Sequence, residues 1–277
     1  MPLKALAFFN TSRIGKKDIE RIGNHLKKRG IEMALCDNYR SCEIKDLQLV
    51  LTFGGDGTVL KAVPCALQNS APILSFKIGS VGFLSAFELN QLNEAIDSYL
   101  SSSLVEDRRA LLRIESALGT EYALNDFVME RSKPSRTIYL KVIIEGFSPY
   151  LVAGDGIIIS TPTGSTAYNL AAGGAIIDPA SSVYQVTPLS PHNPYVGCVV
   201  VGNSRKTTIE LLDDRGYPLD CYSDGVYAGR LKEGQKVEVI LSRKSVILLR
   251  PKEFDFVGVM REKLAFGGRL RDDFQKR

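Results

Sequence analysis

The chain has 277 residues, 44% of them hydrophobic and 24% charged, with a formal net charge of +4, the profile of an ordinary globular protein of one large domain or two modest ones. Its five cysteines (Cys36, Cys42, Cys65, Cys198, Cys221) form no CxxC pair, which argues against a disulfide framework and a structural zinc site and for a reducing, cytoplasmic setting. No apolar run is long enough to cross a bilayer, residues 1–10 are too short in apolar length for a secretory leader, and the small positive charge is compatible with a polyanionic ligand without pointing to one.

In chain order, residues 3–9 read as a buried strand. Residues 17–29 carry Ile19, Ile22, His25 and Leu26 at helical spacing and stop at Gly30, a helix-ending glycine. Strands are expected over 31–36, 47–53 and 72–76, and helices over 58–68 and 90–100. On the last of these, Leu92, Ala95, Ile96 and Tyr99 share one face. Strands alternating with helices predict a parallel sheet covered on both faces. After about Arg108 short strands follow one another, at 113–118, 121–128, 137–144, 157–160, 207–212, 236–241 and 246–249. They predict an antiparallel, all-β second domain. Residues 252–277 turn mixed in charge, with a helix near 260–264. The expected organisation is an α/β domain over 1–104, a β-rich domain over 105–250 and a C-terminal segment over 251–277 that packs back on the first domain. No polar linker separates the domains, so close packing with a cleft between them is expected.

Three motifs carry chemistry. Gly54, Gly55, Asp56, Gly57 and Thr58 follow an apolar strand and precede a helix. In an open α/β sheet ligands bind beyond the carboxyl ends of the strands, glycines let the backbone approach a phosphate, and a helix N-terminus favours negative charge. Neither a Walker A sequence nor GxGxxG is present. A carboxylate beside a phosphate cradle is repelled unless it meets a hydroxyl or a metal, and a base taking a proton from a sugar hydroxyl meets that condition. The structural alternative is that Asp56 shapes a turn or caps a helix. The second motif runs from Ser160 to Tyr168 and is preceded by Gly154, Asp155 and Gly156. Its hydroxyls suit the adenine and ribose of a nucleotide, and Tyr168 adds a ring that can stack; the alternative is a plain Ser/Thr-rich loop. The third is Asn125-Asp126, polar residues set between apolar neighbours that need partners a ligand can supply. The Lys and Arg residues over 261–277 alternate with acids and read as a solvated tail.

GGDGT, the Asn-Asp dipeptide and TPTGSTAY, in this order, resemble the NAD kinase family. So do FKIGSVGFL at 76–84, Pro191-His192 and RPKEFDFVGVMREKL at 250–264, and the resemblance spans nearly the whole chain. It implies an N-terminal Rossmann-like parallel α/β domain and a C-terminal β-sandwich-like domain, with the active site between them. The implied activity is phosphoryl transfer from ATP or polyphosphate to the 2′-hydroxyl of the adenosine ribose of NAD, giving NADP. Asp56 matches the family's proton acceptor, and Gly57 lies beside the bound dinucleotide; Gly54, Gly55, Gly57 and Thr58 are the expected phosphate cradle. Lys61 and Arg136 match basic positions that face the ligand, Asn125 and Asp126 the pair that contacts the nucleosides, and Asp155 the aspartate before the hydroxyl-rich strand. Thr166, Ala167, Tyr168, Asn169, Leu170 and Ala171 match the segment that holds adenosine, with Thr163 and Ser165 of the same motif also expected at NAD, and Asp224 matches an Asp-Gly position. The family commonly has glutamate where Asp126 stands and glutamine where Val226 stands. The resemblance also implies a divalent metal ion, Mg²⁺, with no ligand assigned, and a cytoplasmic homo-oligomer, dimer or tetramer, acting without nucleic acid or membrane. A lipid kinase of the diacylglycerol type, which shares GGDG, and a non-catalytic NAD(P)-binding sensor are the competing readings.

Overall fold

The computed structural model describes residues 2–36, 44, 46–79, 82–133, 137–192, 196–214 and 216–267. The chain divides into two compact units, 1–108 with 246–277, and 109–245.

The first unit is an α/β sheet. Strand β1 (Leu3–Phe9) leads into helix α1 (Lys16–Lys28), whose end is marked by Gly30 in the left-handed region at φ 75°. Then come β2 (Ile31–Leu35), β3 (Leu49–Gly54), α2 (Asp56–Asn69), β4 (Ile73–Lys77), the short β5 (Phe87–Glu88) and α3 (Leu92–Leu100). The strands lie in the order β2-β1-β3-β4, all parallel. Every residue of β3 is buried, as a central parallel strand covered on both faces requires. Ile22 and Leu26 of α1 and Ala95 and Ile96 of α3 share a core with Ala5, Ala7, Leu49, Leu51 and Phe53. Side chains alternate along a strand, so the buried Leu6 and Phe8 of β1 point to the opposite face, and α2 packs on β1, β3 and β4.

Two features of this sheet position a site. The chain leaves β1 for one side of the sheet and β3 for the other, so β1 and β3 flank the switch point where α/β sheets bind ligands. Their carboxyl ends are fixed by a row of aromatic rings. Phe9 stacks on Phe53 at 4.6 Å, Phe53 on Phe76 at 5.0 Å, and Phe76 meets Phe87 at 6.1 Å.

The second unit is built of antiparallel strands in two layers. Strands β6 (Val105–Ser116), which enters it from the first unit, β7 (Gly119–Ala123), β8 (Asp126–Arg131), β9 (Ile138–Ile144), β10 (Tyr150–Gly154) and β11 (Gly156–Ser160) precede a helical turn, α4 (Tyr168–Ala171). Strands β12 (Val183–Leu189), β13 (Val199–Gly202), β14 (Thr207–Asp213), β15 (Leu219–Ser223), β16 (Val226–Leu231) and β17 (Lys236–Arg250) follow. One sheet has the order β13-β12-β11-β8-β15-β16; the other carries β10-β9-β14-β17. Phe127, Ile157, Ile159 and Tyr184 of the first face Leu140, Val142, Ile209 and Val237 of the second in one core, a β-sandwich arrangement. The end of β17 belongs to the first unit, where it pairs with β4, and is followed by helix α5 (Phe256–Leu264). Among the described residues no helix is long and apolar enough to cross a membrane.

The differences from the sequence reading are local. The run at 121–128 is two strands, β7 and β8, broken at Leu124-Asn125, and the runs at 236–241 and 246–249 are one strand, β17. Strands β10, β12, β13, β15 and β16 were not anticipated. Helix α2 begins at Asp56 rather than Thr58.

Candidate functional site

In the first unit Gly54 ends β3, Gly55 is the N-cap of α2 and Asp56 opens the helix. A Cβ on Gly54 would lie 2.2 Å from Thr58 Oγ1, so the strand-to-helix turn closes only over a glycine. Gly55 and Gly57 are different: a Cβ on either would meet nothing within 4 Å. Packing does not demand glycine there, and a bare backbone with open space is what an approaching phosphate needs.

The Asp56 carboxylate is held from three sides. The Phe83 amide donates to Oδ2 and the Leu84 amide to Oδ1, both at 3.0 Å, and Lys263 Nζ donates to Oδ2 at 2.8 Å. The loop that supplies the amides fits only because residue 82 is glycine: a Cβ there would lie 2.1 Å from Asp56 Oδ1. The same loop is anchored beneath. Ser75 Oγ donates to the Leu84 carbonyl at 2.9 Å, and the buried Arg250 donates from Nη2 to the Phe83 carbonyl at 3.1 Å and from Nε to Asp107. Arg13, in the turn after β1, reaches the end of β4 and donates from Nη1 to the Ile78 carbonyl at 2.9 Å. Gly79, at φ 98°, leaves room for that guanidinium, and no carboxylate among the described residues pairs with it. Lys61 is exposed on α2.

In the second unit the Asn125-Asp126 backbone is organised by Asp224. Its carboxylate accepts from the amides of Leu124 at 2.8 Å, Asn125 at 2.7 Å and Asp126 at 3.2 Å. Asp224 sits at φ 48° and Gly225 at φ 76°, the tight turn between β15 and β16 that aims the carboxylate. Burial pushes Asp224 up to about 6 against the pull of the three amides. Burial, reinforced by the neighbouring Asp224 charge, pushes Asp126 up to about 7. Among the described residues no hydrogen-bond donor reaches the Asp126 carboxylate.

The hydroxyl-rich loop leaves β11 and locks onto the same dipeptide. The Thr161 amide donates to the Asn125 carbonyl at 2.9 Å, and Thr161 Oγ1 to the Leu124 carbonyl at 2.6 Å. A Cβ on Gly164 would lie 2.1 Å from the Asn125 carbonyl oxygen, a close approach that explains this glycine. Ser165 Oγ donates to the Pro162 carbonyl at 2.7 Å and accepts from the Ile177 amide at 3.1 Å, and Thr163 Oγ1 accepts from Arg109 at 3.3 Å. Asn169 is fully buried and accepts from Thr187 Oγ1 at 2.6 Å, while its Nδ2 has no partner among the described residues. Thr166, Ala167, Leu170 and Ala171 keep solvent access, and the Tyr168 side chain is 46% exposed. Asp155, in the turn from β10 to β11, pairs with Arg131 at 2.8 Å.

The structure therefore divides the expected residues in two. Gly54, Gly55, Asp56, Gly57, Thr58 and Lys61 lie together in the first unit; Asn125, Asp126, Asp155, Asp224 and residues 163–171 belong to the second. Arg136 lies outside the described residues. Sequence reasoning missed Lys263, Gly82, Arg13 and Arg250. Lys263 was part of the stretch read as a solvated tail; no local pattern marks a lysine whose partner lies 207 positions upstream. Among the described residues, the group of three acids close enough to share a metal ion is Asp213, Asp214 and Glu233, partly exposed on the second unit.

Residues 17–104 match the ATP-NAD kinase N-terminal domain family and residues 124–250 the ATP-NAD kinase C-terminal domain family. The chain is 37% identical to the NAD kinase of Thermotoga maritima over 222 residues, 80% of this chain and 83% of that one. It is 33% identical to the NAD kinase of Bdellovibrio bacteriovorus over 265 residues, covering 90% and 87%. Its fold matches yeast NADH kinase, solved with NADH, at a TM-score of 0.84 and 22% identity over 98% of this chain and 90% of that one. It matches an NAD kinase from Archaeoglobus fulgidus, solved with ATP, at 0.74 and 20% identity over 96% and 98%. The chain belongs to the NAD kinase family and is a kinase acting on NAD.

Proposed function

We propose that the chain transfers the terminal phosphoryl group of ATP to the 2′-hydroxyl of the adenosine ribose of NAD, with Asp56 as the proton acceptor. The hydroxyl oxygen attacks phosphorus, its proton passes to Asp56, and the bond to the leaving ADP oxygen breaks. Such transfers depend mainly on positioning and charge stabilisation. The observation that carries the reading is the state of the Asp56 carboxylate. A carboxylate oxygen accepts two hydrogen bonds; from the described residues Oδ2 has both and Oδ1 has one, which leaves a single acceptor position on Oδ1. Gly55 and Gly57, on either side of Asp56 in the chain, leave open space around their backbone.

The remaining roles follow the chemistry of each group. The bare backbone at Gly55 and Gly57 and the Thr58 hydroxyl, with the cationic Lys61 and Arg13, suit the donor phosphates; the Thr58 amide itself donates to the Gly55 carbonyl at 2.9 Å. Thr166, Ala167, Tyr168, Leu170 and Ala171 suit the adenosine of NAD. The deeply buried Thr163, Ser165 and Asn169, together with Asp224, hold these segments in shape. Asn125 and Asp126 suit the nucleoside hydroxyls, and a donor from the ligand would give Asp126 its missing partner. Asp155 and Arg136 complete the NAD side by resemblance. Mg²⁺ would neutralise donor phosphates. With no cage of acids around Asp56 among the described residues, the ion would take most of its oxygens from phosphate and water. The resemblance alone supports inorganic polyphosphate as an alternative donor and a cytoplasmic homo-oligomer, dimer or tetramer.

The test is Asp56→Asn. The amide keeps the shape but cannot accept the proton, so kcat should fall by about 10² to 10⁴ while NAD binding by calorimetry persists. Retention of more than about a tenth of wild-type kcat would remove Asp56 as the base.

A further inference from the structure

Lys263 does more than fasten a helix. Its ammonium lies 2.8 Å from Asp56 Oδ2 and 4.7 Å above the ring of Phe83, the residue whose amide bonds the same oxygen. Helix α5 has other anchors: Met260 is buried, and Phe256 packs on Phe83 at 6.0 Å. A partly exposed ion pair adds little to stability, so holding α5 down is a poor account of this contact. Its consequence for Asp56 is larger. Without the ammonium, Oδ2 regains an open acceptor position, the carboxylate is held by two amides alone, and either oxygen can face an incoming hydroxyl.

We infer that Lys263 is a positioning residue for the phosphoryl transfer, fixing Asp56 through Oδ2 so that Oδ1 alone is presented to the acceptor hydroxyl. The inference rests on Asp56 being the proton acceptor. It gives the C-terminal helix a part in the reaction that no motif of the sequence announces. It also explains the division of labour within the clamp: two amides set the plane of the carboxylate, and the lysine fills the oxygen that does no chemistry.

The experiment is a kinetic double-mutant cycle on the full chain, reading NADP formation with NAD and ATP varied separately. K263M should lower kcat by about 10- to 100-fold, the scale of a misplaced reacting group, with both KM values within about threefold of wild type. K263R, which keeps a charged donor, should recover at least about a third of wild-type kcat. In the D56N background K263M should cause no further loss. Four results overturn the inference: wild-type kcat in K263M; a higher kcat, which would make the contact inhibitory; a raised KM for ATP at unchanged kcat, which would make Lys263 a phosphate ligand; or the same fold-loss in D56N as in the wild type. Should K263M fail to fold, K263Q with the melting temperature recorded serves in its place. If D56N itself turns over normally, the assignment of the base falls; if D56N is inactive and K263M is normal, only the inference about Lys263 falls.

Discussion

Asp56 and Asp224 are both held by backbone amides, and their surroundings differ. Asp56 accepts from two amides and from Lys263; Asp224 accepts from three amides and has the Asp126 carboxylate as its neighbour. The amide clamp is common to both, so the difference lies first in burial and then in the neighbouring charge. In the first unit a cation accompanies the carboxylate and one acceptor position stays open. In the second, two acids share a buried site without a cation among the described residues, and both are pushed toward holding their protons. The first arrangement suits taking a proton from a substrate; the second suits fixing a backbone and receiving donors from a ligand.

The contrast breaks most severely at Gly82. An added methyl would compete for the space of Asp56 Oδ1, at 2.1 Å. Gly82→Ala should therefore cost kcat as much as Asp56→Asn, roughly 10² or more, although residue 82 carries no chemistry of its own. NAD binding should persist, because the residues assigned to it belong to the other unit. A kcat within tenfold of wild type would show that the carboxylate tolerates displacement, and that its placement is not what the fold protects.

Gly57 separates ligand from fold more finely. It is the second residue of α2, and a Cβ there meets nothing. Gly57→Ala should stabilise the protein by about 0.5–1 kcal/mol in urea unfolding, because alanine loses less freedom in a helix. It should also lower kcat/KM about tenfold by placing a methyl where a phosphate or ribose must lie. A stabilised enzyme with unchanged kinetics would take Gly57 out of the site.

The two regions also differ in how far the sequence declared them. A glycine-rich turn between an apolar strand and a helix is local, and β1, β3, α2 and β4 were readable with small shifts at their ends. The register break at Leu124-Asn125 was not, because it is imposed by an aspartate a hundred residues on, whose carboxylate takes three amides. Strand β12 was hidden by Pro188, which demotes a strand on local rules; here it pairs with Ile157 of β11, past the last residue of β12 that pairs with β13. Strand β15 has only five residues and mixes Leu219, Cys221 and Ser223 inward with Asp220 and Tyr222, too weak an alternation to stand out. The hydroxyls of the TPTGSTAY loop were visible, but not their division. Those of Thr161 and Ser165 are used to hold the loop, and that of Tyr168 is left outside. The Lys263 contact joins ends of the chain that no window of sequence spans.

The smallest expected effect tests the second region by itself. Asp126 is held near 7 and Asp224 near 6, against about 3.9 for an unfolded aspartate. Between pH 4 and 7 these two groups therefore hold more protons in the folded protein than in the unfolded chain. By linkage their contribution to stability is fullest below pH 4 and declines as pH rises toward 7. This is opposite in sign to a salt-bridged carboxylate, whose contribution is lost as pH falls. Asp126→Asn removes the proton site with the larger shift and leaves that of Asp224. Unfolding free energies measured from pH 4 to 8 should then decline less steeply than in the wild type, with the variant ahead above pH 7 by on the order of 1 kcal/mol. NAD should reduce the difference if its hydroxyls donate to Asp126, since a bound donor favours the charged carboxylate. Superimposable pH profiles for variant and wild type would mean that Asp126 is solvated or paired, and that the second region is not the cation-free counterpart of the Asp56 clamp.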